Sequence, residues 1–288
     1  MKVSGFSFIR NAIKFDYPIV EAVRSILPLC DDFYIAVGSS DDKTLELIQS
    51  IDPKINILET IWDENLRKGG QVLASETNKA MRMIPSNSTW CFYIQADEIV
   101  HEEDHNVIYQ TMETWKDNPR VDGLLFNYKH FYGSYDYVAT STRWYRKEIR
   151  IIRNNTSIYS FKDAQGFRKD NNKKLNVKPV HAHIYHYGWV RHPKVQFNKH
   201  QFFGSLYDKN IYKDGTFKAN EVDYGSVDLL ERFSGSHPKF VANRIASKNW
   251  QFDHDLRKNN SALKHRFKKW VEKHFGFIPW EYKNYRII

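Results

Sequence analysis

The feature that most constrains this chain is a regular exchange of short apolar runs and helical stripes through its first 117 residues. Val3–Ile9, Phe33–Val37, Ile55–Thr60 and Trp90–Ile94 have the length and side chains of strands. Between them the apolar period changes to three and four. Ile19, Val20, Val23, Ile26, Leu27 and Cys30 form one stripe, with Asp16 as its candidate cap. Thr44–Ile51 forms a second, stopped by Pro53, and Leu73, Thr77, Ala80, Met81 and Ile84 form a third, ended by Pro85. Strand and helix in strict alternation predict a parallel sheet covered on both faces, because only covered strands read as unbroken apolar runs.

The remainder is less regular. Ile108, Met112 and Trp115 predict a helix over about 103–117, and Val121–Tyr128 and Glu148–Arg153 predict two more strands. Residues 129–147 read as an aromatic loop and 154–180 as irregular. From 192 to 288 helices and loops are expected, closing on a basic, weakly amphipathic segment, Leu256–Gly276. The expected organisation is a ligand-binding and catalytic domain over 1–200. A helical extension over 201–288 would pack on that domain.

A chain of 288 residues builds a core without staples. Cys30 and Cys91 both lie in apolar segments and read as buried thiols of a reducing compartment, which implies a cytoplasmic protein. No apolar run reaches the length of a membrane span. The net charge of +9 favours anionic partners without choosing among them. Its Lys and Arg are spread along the chain, which argues against nucleic acid as partner. The basic 256–276 segment is a candidate for peripheral contact with an anionic membrane.

Three clusters carry chemistry. "YIQADEIV" ends the fourth strand on Asp97 and Glu98, where parallel sheets bind ligands. Adjacent carboxylates resist joint ionisation unless a cation compensates, so the pair suits Mg²⁺ or Mn²⁺; the alternative is a strand end whose Glu98 caps the next helix. "HAHIYHYGWVR" places His181 and His183 on one face of an extended segment and His186 on the other, with Arg191 and Lys199 following as candidate phosphate contacts. "GSSDDKT" sets Asp41 after the second strand, where a carboxylate accepts from a base or ribose, or caps a helix.

Taken in order, "FSFIRNAIKFDYPIVEAVRSILPLCDDFYIAVGSSDDKT", "GGQVLASETNKAM" and "YIQADEIV" resemble the family-2 nucleotide-sugar glycosyltransferases of GT-A fold. The match covers about residues 3–128, and 148–200 more loosely. The resemblance implies inverting transfer of a sugar from a nucleoside diphosphate, UDP above others, to a hydroxyl of a glycan or lipid-linked acceptor. It implies Asp97 and His186 as metal ligands, Asp41 near the base or ribose, and Phe8, Arg10 and Asn11 against the nucleotide. Gln95 stands where the family has its first acid, which removes one charge from the site, and Ala12 replaces the acid after Arg-Asn. Asp163 is the first candidate for the catalytic base and Glu148 the second. A nucleotidyltransferase on a similar sheet, a basic nucleic-acid-binding protein and a non-catalytic binding module are the rival readings.

Overall fold

In the computed structural model, residues 1–207, 217–218, 220–227, 229–257 and 261–288 are described. Residues 258–260 of the basic segment therefore lie outside the described residues, as do 208–216, 219 and 228 of the C-terminal region.

The first half forms as its periodicity predicts: β1 (Val3–Ile9), α1 (Ile19–Ile26), β2 (Asp32–Gly38), α2 (Thr44–Gln49), β3 (Ile55–Thr60), α3 (Gln71–Arg82) and β4 (Trp90–Tyr93). β3, β2, β1 and β4 lie side by side and parallel. Every residue of β4 is buried, and Ile19, Ala22, Val23 and Ile26 turn the apolar face of α1 onto the sheet. Covered faces on both sides are the reason for the unbroken run in β4.

Next come β5 (Glu98–Val100), α4 (His105–Trp115), β6 (Gly123–Tyr132), β7 (Tyr137–Ala139), β8 (Lys147–Arg153), β9 (Ile158–Phe161), β10 (Gly166–Lys169), β11 (Lys173–Lys174) and β12 (Asn176–Trp189). β8 enters antiparallel between β4 and β6, β12 runs parallel to β6, and β5 pairs antiparallel with β12. The sheet is thus mixed but mostly parallel in its first half, and helices flank it. This is the architecture expected from the GT-A resemblance.

The chain closes with α5 (Pro193–Tyr207), β13 (Phe217–Lys218), β14 (Glu221–Val222), β15 (Leu230–Arg232), α6 (Ala242–Ala246), α7 (Leu263–Phe275) and β16 (Arg286–Ile287). β15 pairs with β7, and β16 pairs with β12.

Several local expectations are corrected. The 129–147 interval is not all loop, because β6 runs on to Tyr132 and β7 follows. The aromatic side chains there pack against β12 and so sustain the strand: Phe131 stacks on Tyr187, and Tyr132 on Trp189. Residues 154–180 hold a three-stranded antiparallel sheet of β9, β10 and β11. The helix expected over 256–276 spans Leu263–Phe275. Asp16 does not cap α1; it sits at φ 48° with its carboxylate 2.6 Å from Arg244, and α1 starts after Pro18 with no side-chain cap.

Candidate functional site

A cavity of about 410 Å³ opens beyond the carboxyl ends of β1 and β4. Residues of both strand ends (Phe8, Ile9 and Arg10; Gln95, Ala96 and Asp97) line it, and α5 closes it with Lys199, His200, Phe202 and Phe203. The volume suits a ligand of nucleotide size.

Asp97 is the polar centre of this cavity. Its Oδ2 accepts from Lys199 Nζ at 3.0 Å and lies 3.7 Å from Arg191 Nη2, while its Oδ1 lies 3.6 Å from His186 Nε2. Burial alone would raise the Asp97 carboxyl. The Lys199 ammonium, then His186 and Arg191, outweigh burial and hold it well below the usual carboxylate range. Burial and the neighbouring Arg191 push the Lys199 ammonium down to about 8, against the pull of Asp97. Arg191 itself is fully buried beneath the cavity floor, where its Nε and Nη1 donate to the carbonyls of Phe15, Asp16 and Gly188.

Glu98 does something the sequence did not suggest. It neither joins Asp97 on a cation nor caps a helix. The backbone turns it into the core, where both oxygens accept from Arg150, at 2.7 Å from Nε and 2.7 Å from Nη2. Tyr128 Oη and the Gln95 backbone N–H take the remaining lone pairs at 2.8 and 3.1 Å. The two adjacent carboxylates avoid repulsion by parting, one into the cavity and one into a buried ion pair.

A second relay fixes His186. Burial, with His186 alongside, pushes the His130 imidazole down to about 3, so it is neutral and carries one N–H. Its Nε2 lies 2.6 Å from the carbonyl of Tyr145, which only accepts, so the proton is on Nε2. The His130 Nδ1 is then an acceptor, and His186 Nδ1 donates to it over 3.0 Å. The other ring nitrogen, Nε2, is thereby turned toward Asp97 Oδ1 at 3.6 Å. One carboxylate and one imidazole so disposed fit Mg²⁺ or Mn²⁺, which share the rest of their shell with waters and phosphates. Among the described residues, no group of three or more His, Cys, Asp or Glu side chains is gathered for a metal. Such an ion would depend on its ligand's own oxygens.

The other expected site residues divide. Phe8, Arg10, Gln95, Asp97, Asp163, His186 and Lys199 all line the cavity. Gln95 donates its side-chain amide to the Ala164 carbonyl at 3.0 Å. The Arg10 guanidinium rests 5.4 Å from the centre of the Trp62 ring and 5.6 Å from that of Phe202, and no carboxylate pairs with it among the described residues. Asn11 is buried and does not line the cavity; its Oδ1 accepts from the Asp41 N–H at 2.9 Å and so braces the "GSSDDKT" turn. Asp41 faces outward and pairs with Lys14, while Asp42 accepts from the Thr44 N–H at the start of α2. His181 is exposed and His183 half-buried, both away from the cavity.

Glu148 lies in a second cavity of about 580 Å³ that shares Tyr145, Asp163 and Gln165 with the first. Burial raises the Glu148 carboxyl to about 7, against the pull of Arg150 and a 2.8 Å hydrogen bond from Gln165. Trp62, His130, Tyr145 and Arg150 escaped sequence reasoning. Each lies in a segment whose pattern shows strand or loop but not which side chains meet across it.

No family model matches the chain, and no curated protein matches it. Among solved structures, it is similar to S. aureus TarS 1–349 in complex with UDP-GlcNAc, at 16% identity over 72% of this chain and 66% of that one, with a TM-score of 0.40. For S. aureus TarS itself the figures are 14%, 71%, 39% and 0.40, so the chain spans well under half of that protein. It is also similar to glucosyl-3-phosphoglycerate synthase from Mycobacterium tuberculosis in complex with Mn²⁺ and UDP-glucose, at 14% identity over 46% of this chain and 43% of that one, with a TM-score of 0.29.

Proposed function

We propose that this chain is a GT-A-type glycosyltransferase that moves a sugar from a nucleoside diphosphate, UDP above others, to an acceptor hydroxyl with inversion. The observation that carries this reading is the Asp97–Lys199–His186 cluster at the exit of β4, inside a cavity that Arg10 also lines.

Phe8, Trp62 and Phe202 supply aromatic faces for the base, and Lys199 and Arg10 meet the diphosphate oxygens. Asp97 and His186 would hold a divalent ion, which when bound supplies Lewis-acid stabilisation of the departing diphosphate. The acceptor enters through the second cavity, whose lining of Arg143, Lys147, Lys162 and Lys268 with Trp144 and Trp280 suits a saccharide bearing acidic groups. Asp163 lines both cavities and is the base that takes the acceptor proton. The acceptor oxygen attacks the anomeric carbon opposite the diphosphate. The carbon–oxygen bond to phosphate breaks, and its electron pair leaves with the nucleoside diphosphate.

Titration with UDP and GDP, read by the fluorescence of Trp62 and Trp189 in the cavity wall, tests the reading. UDP is expected to bind, with at least tenfold weaker binding in Lys199→Ala. Asp97→Ala is expected to abolish hydrolysis of a labelled UDP-sugar. Absence of nucleotide binding, with and without Mn²⁺, refutes the proposal. Release of pyrophosphate from UTP and a sugar 1-phosphate, with no UDP formed from the UDP-sugar, moves it to nucleotidyl transfer.

A further inference from the structure

Helix α7 is built the wrong way round for a helix that packs on a core. Its polar side faces the protein. His265 Nδ1 lies 2.7 Å from Thr142 Oγ1, Lys269 Nζ donates to Thr140 Oγ1 and Glu231 Oε1 at 3.0 Å each, and Glu272 pairs with Arg146. Val271 is its only buried residue. The opposite side carries Leu263, Phe267, Trp270 and His274, which fall within about 60° of arc at 100° per residue. Leu263 is 81% exposed, and Phe267 and Trp270 are each 52% exposed. The rings form one surface: Phe267 stacks on Trp270 at 6.3 Å, and Trp270 meets His274 at 4.8 Å and Phe275 at 6.0 Å. Phe277, just past the helix, is exposed as well.

An amphipathic helix normally buries its apolar stripe; one that shows it to solvent marks a surface made for another apolar phase. Charge selects the phase. Lys264, Arg266, Lys268, Lys269 and Lys273 stand on α7 against the single acid Glu272, which is already paired. Lys264 flanks the stripe on one side and Arg266 and Lys273 on the other. Bulky aromatics along the middle with cations at both margins match a bilayer interface, where the rings enter the headgroup region and the ammonium groups meet lipid phosphates. Ile278 and Trp280, a few residues on, line the second cavity. The stripe and the mouth of that cavity therefore adjoin.

From these observations we infer that α7 seats the protein on an anionic membrane surface through Leu263, Phe267 and Trp270, with the second cavity opening beside the headgroups. The contact is peripheral, since among the described residues no helix is long and apolar enough to cross a membrane.

The test is flotation of the full chain with phosphatidylcholine vesicles and with vesicles containing about one third phosphatidylglycerol. Co-flotation with the anionic vesicles only, weakened at least tenfold by Phe267→Ser/Trp270→Ser and by Lys264→Glu/Lys273→Glu, supports the inference. Both variants change exposed side chains and should keep the wild-type melting temperature. Three results overturn it: no flotation, equal flotation of the wild type and both variants, or a wild-type dimer in sedimentation that the serine variant dissolves while vesicles are ignored. The last assigns the stripe to a second copy of the chain. Because UDP titration is independent of vesicles, failure here leaves the transferase reading standing.

Discussion

Replacing Glu98 with Gln tests whether two neighbouring acids have parted into separate roles. Glu98 and Arg150 are both fully buried, and the carboxylate accepts two 2.7 Å hydrogen bonds from the guanidinium. Burial would lower the Arg150 pKa, but Glu98 and then Tyr128 raise it well above the ordinary value, so the cation persists. Its Nη1 is satisfied separately by the Ile149 and Gln165 carbonyls, at 2.9 Å each. Gln keeps the shape and one acceptor oxygen but strands a buried positive charge. Breaking one side of a buried pair costs about 3–5 kcal/mol, and the retained acceptor argues for the lower end, roughly 3 kcal/mol. For a domain this large, each kcal/mol moves the melting temperature by about 2–4 °C, so a fall of roughly 6–12 °C is expected. Urea and thermal denaturation followed by circular dichroism read it. Glu98→Leu combined with Arg150→Met removes both charges and should recover much of the loss. A Glu98→Gln variant within about 1 kcal/mol of wild type would refute the buried-pair argument and reopen Glu98 as a site carboxylate.

Two further outcomes are expected. The folded pKa of Glu148 lies above its unfolded value, so the unfolded chain releases this proton near pH 4.5 while the folded one holds it to about 7. Over that window the folded state binds more protons, and stability falls as pH rises. Glu148→Gln should therefore gain on wild type between pH 4.5 and 7, by roughly 3 kcal/mol, in denaturation curves taken across pH. An unchanged difference contradicts the assignment. Gly188→Ala tests the packing under the site: its new Cβ would lie 2.6 Å from His186 Cε1 and 3.2 Å from Asp97 Oδ2. We expect at least a tenfold loss of UDP affinity, and unaltered binding would show that His186 moves freely.

The alternation through residue 117 was legible because each element buries a face, and burial writes a period into the sequence. The strand-exit location of Asp97 was legible for the same reason: a covered strand must stop where its carboxylate begins. The end of β6, β7 and β9 to β11 were hidden because aromatic and polar side chains support them through partners far along the chain. Phe131 on Tyr187 and Ser160 on Asn78 are such partners, and no local pattern encodes them.

The division of labour among charged side chains follows the same line. By itself the sequence determined which positions end a strand, and so offered Asp97 as a cavity residue, while the family resemblance added Arg10, Gln95 and Asp163. Only the folded chain decided that Glu98 belongs to Arg150, that Asp41 belongs to Lys14, and that Lys199 and His186 come to Asp97 from helix and strand about a hundred residues away. Local pattern records whether a side chain is buried, because solvent acts on each residue where it stands. The identity of a charged partner is set by where distant elements cross, and that information exists only in three dimensions.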